Sequence, residues 1–352
     1  MRNQPSTSNP GKIVSVTGSS GCLGDSLLKQ LHSRGYQINA LFRGISKASQ
    51  AWNSKHVNII YGQLNDQEAL KKLMKDAYAI FHCAAYLGKG KKEQSYQTNV
   101  KGTENLLIAA AEAGVRLFIY VSSISVYRAT SPDLNAKLSE DSPPVFTPLL
   151  NPYSRTKLEG EIVVKNLCTK YGLSYLIMRP TNVYGLLSKP WFIQIVQYLN
   201  TSPIIFGRSE MDFVYVDDVS RAMIKALEKP DSWNQDFNIG HEMITLVEYL
   251  SKICKLINKT RLRIPPILDR IICKGIDNLY LLITHSYPSV SFSTTVKYPH
   301  KKAKQVFGYS PDINLDIGMM KMKEELYQKK FDAEKQSNYH ENHSATERNT
   351  NN

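Results

Sequence analysis

The stretch KIVSVTGSSGCLG, Lys12 to Gly24, governs how the rest of the chain is read. A β-branched run ends at Thr17 and passes directly into Gly18, Gly21 and Gly24 at G-x-x-G-x-x-G spacing. Leu23, Leu27, Leu28 and Leu31 then recur at helical intervals. Glycines permit the tight turn and let the main chain approach a pyrophosphate. That group sits on the helix N-terminus, where unpaired N–H groups and the macrodipole favour negative charge. Glycine triplets are common in turns, so the weight rests on position: this one follows the first strand and opens a helix. Ser20, Cys22 and Leu23, between the glycines, are taken as further dinucleotide contacts.

Outward from this loop, short apolar runs alternate with helical patterns. YQINALFR, VNIIYG, AYAIFHCAA, VRLFIYVSS and LSYLIMRP read as strands, with helices from Asp66 and through NVKGTENLLIAAAEAG. That alternation predicts βαβ units, right-handed crossovers and an α/β fold with a Rossmann-type doubly wound parallel sheet. The expected organisation is a flexible N-terminus at 1–11 and an NAD(P)-binding domain at 12–180, with its sheet completed by parts of 181–240. A smaller C-terminal substrate-binding lobe covers 181–330, and residues 331–352 form a disordered polar tail. FVYVDDV and DFNIG are candidates for the completing strands.

Composition excludes several classes. At 352 residues and 42% hydrophobic, the chain can bury a large core. The net charge of +13 is spread along the chain without a basic stripe or an aromatic RNA-binding motif, which argues against nucleic acid. Five cysteines without a C-x-x-C imply neither a disulfide framework nor a metal site, and they fit a reducing compartment. MRNQPSTSNPGK lacks the apolar segment of a secretory signal, so the expected location is cytoplasmic.

The second strand ends in ALFRGISK, where an NAD binder usually offers a carboxylate to the ribose 2′-OH. Arg43 stands there instead, with Lys47 behind it, and a guanidinium fork suits a 2′-phosphate. NADP is therefore preferred to NAD.

NPYSRTKLEGE, Asn151 to Glu161, places Tyr153 and Lys157 four residues apart on one helix face. A phenol titrates near 10; a neighbouring ammonium and an oxidised nicotinamide both stabilise its phenolate, the tuning that acid/base chemistry needs, and Lys157 is long enough to reach a nicotinamide ribose. The pair is common in helices; here it follows the fifth strand, whose end carries Ser123 in YVSSISVY. Ligands in open parallel sheets lie beyond the carboxyl ends of the strands. Ser123 is placed there to hydrogen-bond a substrate oxygen.

TGSSGCLG, FHCAA, NVKGTENLL, SSISVY, YSRTK, RPTNVYG and FVYVDDV, in this order across roughly residues 12 to 330, resemble the extended short-chain dehydrogenase/reductases. The resemblance implies that Ser123, Tyr153 and Lys157 form a catalytic triad and that Asn99 supports the active-site helix. It further implies that Ala84 and Ala85 line the cofactor and that Pro180, Asn182 and Val183 flank the nicotinamide. The family's adenine-contacting acid after the third strand is replaced by Gln63, followed by Leu64. VYR replaces the common VYG, setting Arg128 near the site mouth. Relatives often form homodimers through four helices.

Nucleotide-sugar members usually carry an arginine just before the FVYVDD strand, and Met211 occupies that position, with Arg208 three residues earlier. RIPPILDRIICKGIDNLYLLITHSYPSVSF instead resembles the 3β-hydroxysteroid dehydrogenase and dihydroflavonol reductase branches. Ile267, Leu268, Ile271, Ile272, Ile276, Leu279, Tyr280 and Ile283 form an apolar helical stripe. One reading packs it into the core; the other makes it a lid over an apolar substrate, or a peripheral membrane contact through residues 264–284. The expected activity is alcohol–ketone interconversion on an apolar, polycyclic substrate. The alternatives are a nucleotide-sugar epimerase or dehydratase, and a non-catalytic NADP-binding sensor.

Overall fold

A computed structural model describes residues 11–52, 54–87, 92–127, 137–143, 150–285 and 295–328. Its first half runs β1 (Ile13–Thr17), α1 (Cys22–Ser33), β2 (Gln37–Phe42), α2 (Lys47–Gln50), β3 (Val57–Tyr61), α3 (Gln67–Met74) and β4 (Ala77–His82). There follow α4 (Lys92–Tyr96), a π-helical turn at Gln97–Lys101, α5 (Gly102–Glu112), β5 (Leu117–Val121), α6 (Pro152–Tyr171) and β6 (Ser174–Pro180). The second half runs β7 (Asn182–Tyr184), α7 (Gln194–Thr201), β8 (Ile204–Ile205), β9 (Glu210–Tyr215), α8 (Val216–Leu227), β10 (Gln235–Ile239) and β11 (Glu242–Thr245). The last elements are α9 (Leu246–Leu256), β12 (Leu262–Arg263), α10 (Pro266–Thr284), α11 (Lys301–Phe307) and a helix over 315–328.

Seven strands make the main sheet in the order β10-β6-β5-β4-β1-β2-β3. Every neighbouring pair is parallel. Strands covered on both faces must be apolar throughout, and β5, LFIYV, is buried at every residue. The chain leaves β1 towards β2 on one side and returns to β4 on the other. That reversal opens a crevice at the carboxyl end of β1, where open sheets of this kind bind ligands.

α6 is set by local chemistry. Asn151 caps it by accepting the Ser154 N–H at 3.0 Å, Pro152 occupies the first turn, and Gly172 ends it at φ +70. Gly160 faces β5, where a Cβ would lie 2.2 Å from the Tyr120 hydroxyl. The glycine lets the helix lie against the strand.

FVYVDDV does not join the main sheet. Glu210–Tyr215 pairs with β7 and β11 in a separate three-stranded sheet, and Val216 begins a helix. That helix returns to α1, where the Ser26 hydroxyl donates to Asp217 at 2.7 Å. DFNIG does complete the main sheet, as β10 beside β6. The lobe has its own aromatic core, with Phe213 stacked on Tyr249 at 4.5 Å and Trp191 edge-on to Phe213 at 4.9 Å.

The apolar stripe of α10 does not pack into the core. Only Asp269 and Cys273 of that helix are buried. Of the stripe, Ile267, Leu268, Ile271, Leu279 and Ile283 are 51–77% exposed, while Ile272, Ile276 and Tyr280 are half-buried. The buried Asp269 carboxylate fastens the helix by accepting the Gly207 N–H at 2.9 Å. Among the described residues no helix is long and apolar enough to cross a membrane.

Candidate active site

The glycine loop closes tightly on the end of β4. Gly18 has φ +72, and a Cβ there would lie 2.7 Å from the Ala84 nitrogen. A Cβ on Gly24 would lie 2.1 Å from the Gly18 carbonyl oxygen. Both positions therefore admit only glycine without a shift of main chain. Gly21 is the N-cap of α1, and no side chain caps the amides that follow. Ser20 and Gly21 are exposed, whereas Cys22 and Leu23 are half-buried against the lobe core. This cradle, with Ser20 and Gly21 exposed and the helix amides without a side-chain cap, fits a dinucleotide pyrophosphate.

Arg43 follows β2 directly, is exposed, and has no hydrogen-bond or ion-pair partner among the described residues; Lys47 is exposed in α2. Gln63 is exposed and Leu64 half-buried beneath it, with the Leu64 carbonyl accepting from Asn105 at 3.0 Å. Ala84 and Ala85 are half-buried at the end of β4. Pro180 ends β6, and Asn182 and Val183 begin β7, with the Asn182 amide donating to the Asp212 carbonyl at 2.8 Å.

Ser123, at the end of β5, hydrogen-bonds with Tyr153. Burial pushes the Tyr153 phenol up to about 12, and the hydrogen bond with Ser123 opposes that rise. Lys157 is fully buried; its ammonium donates to the Val121 carbonyl at 2.7 Å and lies 4.8 Å from the centre of the Tyr120 ring. Burial lowers its pKa to about 8, against the charges of Cys83 and Glu161. Without a nicotinamide beside it, burial is the largest influence on the Tyr153 phenol. Asn99 lies in the π-helical turn, accepts the Tyr86 N–H at 2.7 Å and donates to Thr156 of α6 at 3.0 Å.

Several participants are not evident from motifs. Beneath Ser123, the Ser122 hydroxyl donates to Glu161, which holds Arg179 in a bidentate pair at 2.7 and 2.9 Å. Arg179 also donates to the Tyr127 hydroxyl at 2.7 Å. Such a pair is well compensated only when its remaining valences are met, as they are here. Thr17, His82 and Thr103 form a second buried polar group beside the site. The available signal was polar residues at the ends of otherwise apolar strand patterns.

Met211 is buried in the lobe core, so no cation stands at that position. Arg208 is half-exposed and lies 3.9 Å from the Asp269 carboxylate. Arg128 lies outside the described residues. Among the described residues no cluster could hold a metal ion, and all five cysteines are free.

The model of the NAD dependent epimerase/dehydratase family matches residues 14–240. Sterol-4-alpha-carboxylate 3-dehydrogenase (decarboxylating) of Homo sapiens is 26% identical over 337 residues, 88% of this chain and 87% of its own. UDP-glucuronate 4-epimerase of Thermodesulfobacterium geofontis is 27% identical over 296 residues, 81% of this chain and 83% of its own. The structure of UDP-glucuronic acid 4-epimerase from Bacillus cereus with UDP-glucuronic acid and NAD superposes with a TM-score of 0.71 at 25% identity. It covers 90% of this chain and all of that one.

Proposed function

Because the chain belongs to the NAD dependent epimerase/dehydratase family and is an NAD-linked oxidoreductase of the extended short-chain dehydrogenase/reductase type, we propose that it interconverts a secondary alcohol and a ketone on an apolar, polycyclic substrate. The observation that carries this reading is the contact between the Tyr153 hydroxyl and Ser123 at the end of β5, with Lys157 buried one turn along the same helix.

In the oxidative direction Tyr153 accepts the proton of the substrate hydroxyl while Ser123 holds the same oxygen. A bound nicotinamide cofactor supplies the hydride acceptor. Lys157 supplies the positive charge that makes phenolate accessible. Gly18, Gly21 and Gly24, with Ser20, Cys22 and Leu23, cradle the pyrophosphate, while Ala84 and Ala85 form one wall. Pro180, Asn182 and Val183 form the other. Arg43, at the end of β2 and without a partner among the described residues, gives a 2′-phosphate its fork, so NADP is preferred to NAD.

The apolar preference is supported by Met211, buried where a cation would otherwise grip a diphosphate. The exposed face of α10 then serves an apolar molecule or the surface of a bilayer in which such molecules dissolve. The reading extends to a homodimer in a reducing, cytoplasmic setting, in keeping with five free thiols. A nucleotide-sugar reading is favoured by one observation, the half-exposed Arg208 guanidinium beside the lobe strands.

The deciding experiment is binding of UDP and UDP-sugars, beside a panel of sterols and other hydroxylated apolar compounds, to protein saturated with NADP. Response to an apolar alcohol without UDP binding is the expected result. Tight UDP binding overturns the apolar reading and gives Arg208 the diphosphate.

A further inference from the structure

The parallel register sets Thr17, the last residue of β1, beside His82, the last residue of β4. Thr17 Oγ1 lies 2.7 Å from His82 Nδ1 and accepts the Ala84 N–H at 3.3 Å. Across the ring, His82 Nε2 lies 2.9 Å from Thr103 Oγ1, whose hydroxyl donates to the Asn99 carbonyl at 2.8 Å. The Asn99 side chain donates to Thr156 Oγ1 at 3.0 Å. The Thr156 hydroxyl donates in turn to the Pro152 carbonyl at 2.9 Å, in the first turn of α6.

Elimination fixes the direction of each bond. A carbonyl only accepts, so the single proton of Thr103 goes to Asn99 and its oxygen takes the proton of His82 Nε2–H. His82 is fully buried, and burial, aided by the charge of Lys157, pushes its pKa down to about 3. The ring is therefore neutral and carries one proton. With that proton on Nε2, Nδ1 accepts, the Thr17 hydroxyl donates, and the Thr17 oxygen is left to accept from Ala84. Reversing any one of these bonds sets two buried groups of like role against each other and strands both without a partner.

We propose that His82, as the neutral Nε2–H imidazole, is a positioning residue that holds the cofactor wall at Ala84 against the first turn of α6 and so sets where Tyr153 acts. The inference rests on the reading of Tyr153 given above. Ala84 lies just beyond the end of β4 and Tyr153 in the first turn of α6, and this chain of bonds joins them. An amide also offers one acceptor and one donor, so glutamine can take the place of the ring; leucine fills the volume and offers neither.

The test uses the NAD complex of the full chain with labelled histidine and tyrosine. The nitrogen spectrum of His82, assigned by its loss in His82→Gln, is expected to show the neutral Nε2–H form from about pH 5 to 8. A charged ring or the Nδ1–H form overturns the proposal. In His82→Leu the alkaline titration of Tyr153 is expected to move by about one pH unit or more, while His82→Gln restores it and NAD affinity changes by less than about threefold in both. An unmoved Tyr153 in the leucine variant, or a glutamine variant that behaves like leucine, overturns it. The catalytic reading fails separately: wild-type turnover in Tyr153→Phe would end it, and the tautomer and the Tyr153 titration would still report on His82.

Discussion

The Lys157 ammonium lies 2.7 Å from the main-chain carbonyl of Val121. Gly160 makes this approach feasible by letting α6 lie against Tyr120. The cost is a buried charge, 2% exposed, whose pKa falls from 10.5 to about 8. Between these values the unfolded chain holds more protons than the folded one, so this group's contribution to stability rises with pH across that window. Below it, the shift corresponds to a penalty on the order of 3 kcal/mol. Lys157→Met is expected to be more stable than the wild type near neutral pH and to lose that advantage as the pH approaches 10.5. Urea titrations at the two pH values measure the difference; parallel curves would contradict the burial argument.

Tyr153→Phe removes the hydroxyl that meets Ser123 and leaves the ring. Positioned proton transfer contributes about 10²–10⁴ in rate, so turnover is expected to fall by that factor. NAD affinity, followed by fluorescence titration, should stay within about threefold of the wild type.

Arg43 has no partner to lose among the described residues, so Arg43→Ala should leave the unfolding midpoint unchanged. A charge-assisted hydrogen bond is worth about 1.5–3 kcal/mol, which corresponds to a roughly ten- to hundredfold loss of NADP affinity. NAD affinity should hold. Equal loss of both cofactors would remove the 2′-phosphate assignment.

Gly24→Ala places a methyl group 2.1 Å from the Gly18 carbonyl oxygen, which is main chain and has no rotamer to yield. Overpacking of this kind costs about 1–3 kcal/mol, and the loop that moves is the pyrophosphate cradle. Calorimetry should show a lower midpoint together with loss of NAD binding. A variant that binds NAD as the wild type does would show that the loop closes differently.

The sheet was legible because parallel strands covered on both faces carry near-continuous apolar runs, as β4 and β5 do. That Gly18 and Ser123 stand at strand ends was legible because the apolar runs before them stop there. The lobe was not: β7, β8 and β12 have two or three residues each, too few for a period to show. Thr17 and His82 look unremarkable in sequence, since their contact depends on the register of β1 and β4. The stripe on α10 has clear periodicity, but periodicity says that a face is apolar and is silent on what covers it.

Exposure of that stripe has a measurable consequence. Ile271 is 63% exposed, and surface substitutions usually change stability by less than about 0.5 kcal/mol. Ile271→Asp should therefore fold like the wild type while binding apolar alcohols, or vesicles, more weakly. A large fall in the unfolding midpoint would place this face in a packed interface.

The route of the chain between sheet and lobe matters for how the molecule can move. After the lobe strand β9, α8 returns to the sheet at α1 and β10 joins its edge. The chain then goes back to the lobe through β11 and α9. Phe307 and Tyr309 enter the sheet's core, and Leu315, Met319 and Met322 enter the lobe's. Among the described residues, two bodies sewn together by so many passes share several crossings rather than one linker. Each core is therefore built from stretches far apart in the chain, so cutting between sheet and lobe at one place would leave residues of one core attached to the other.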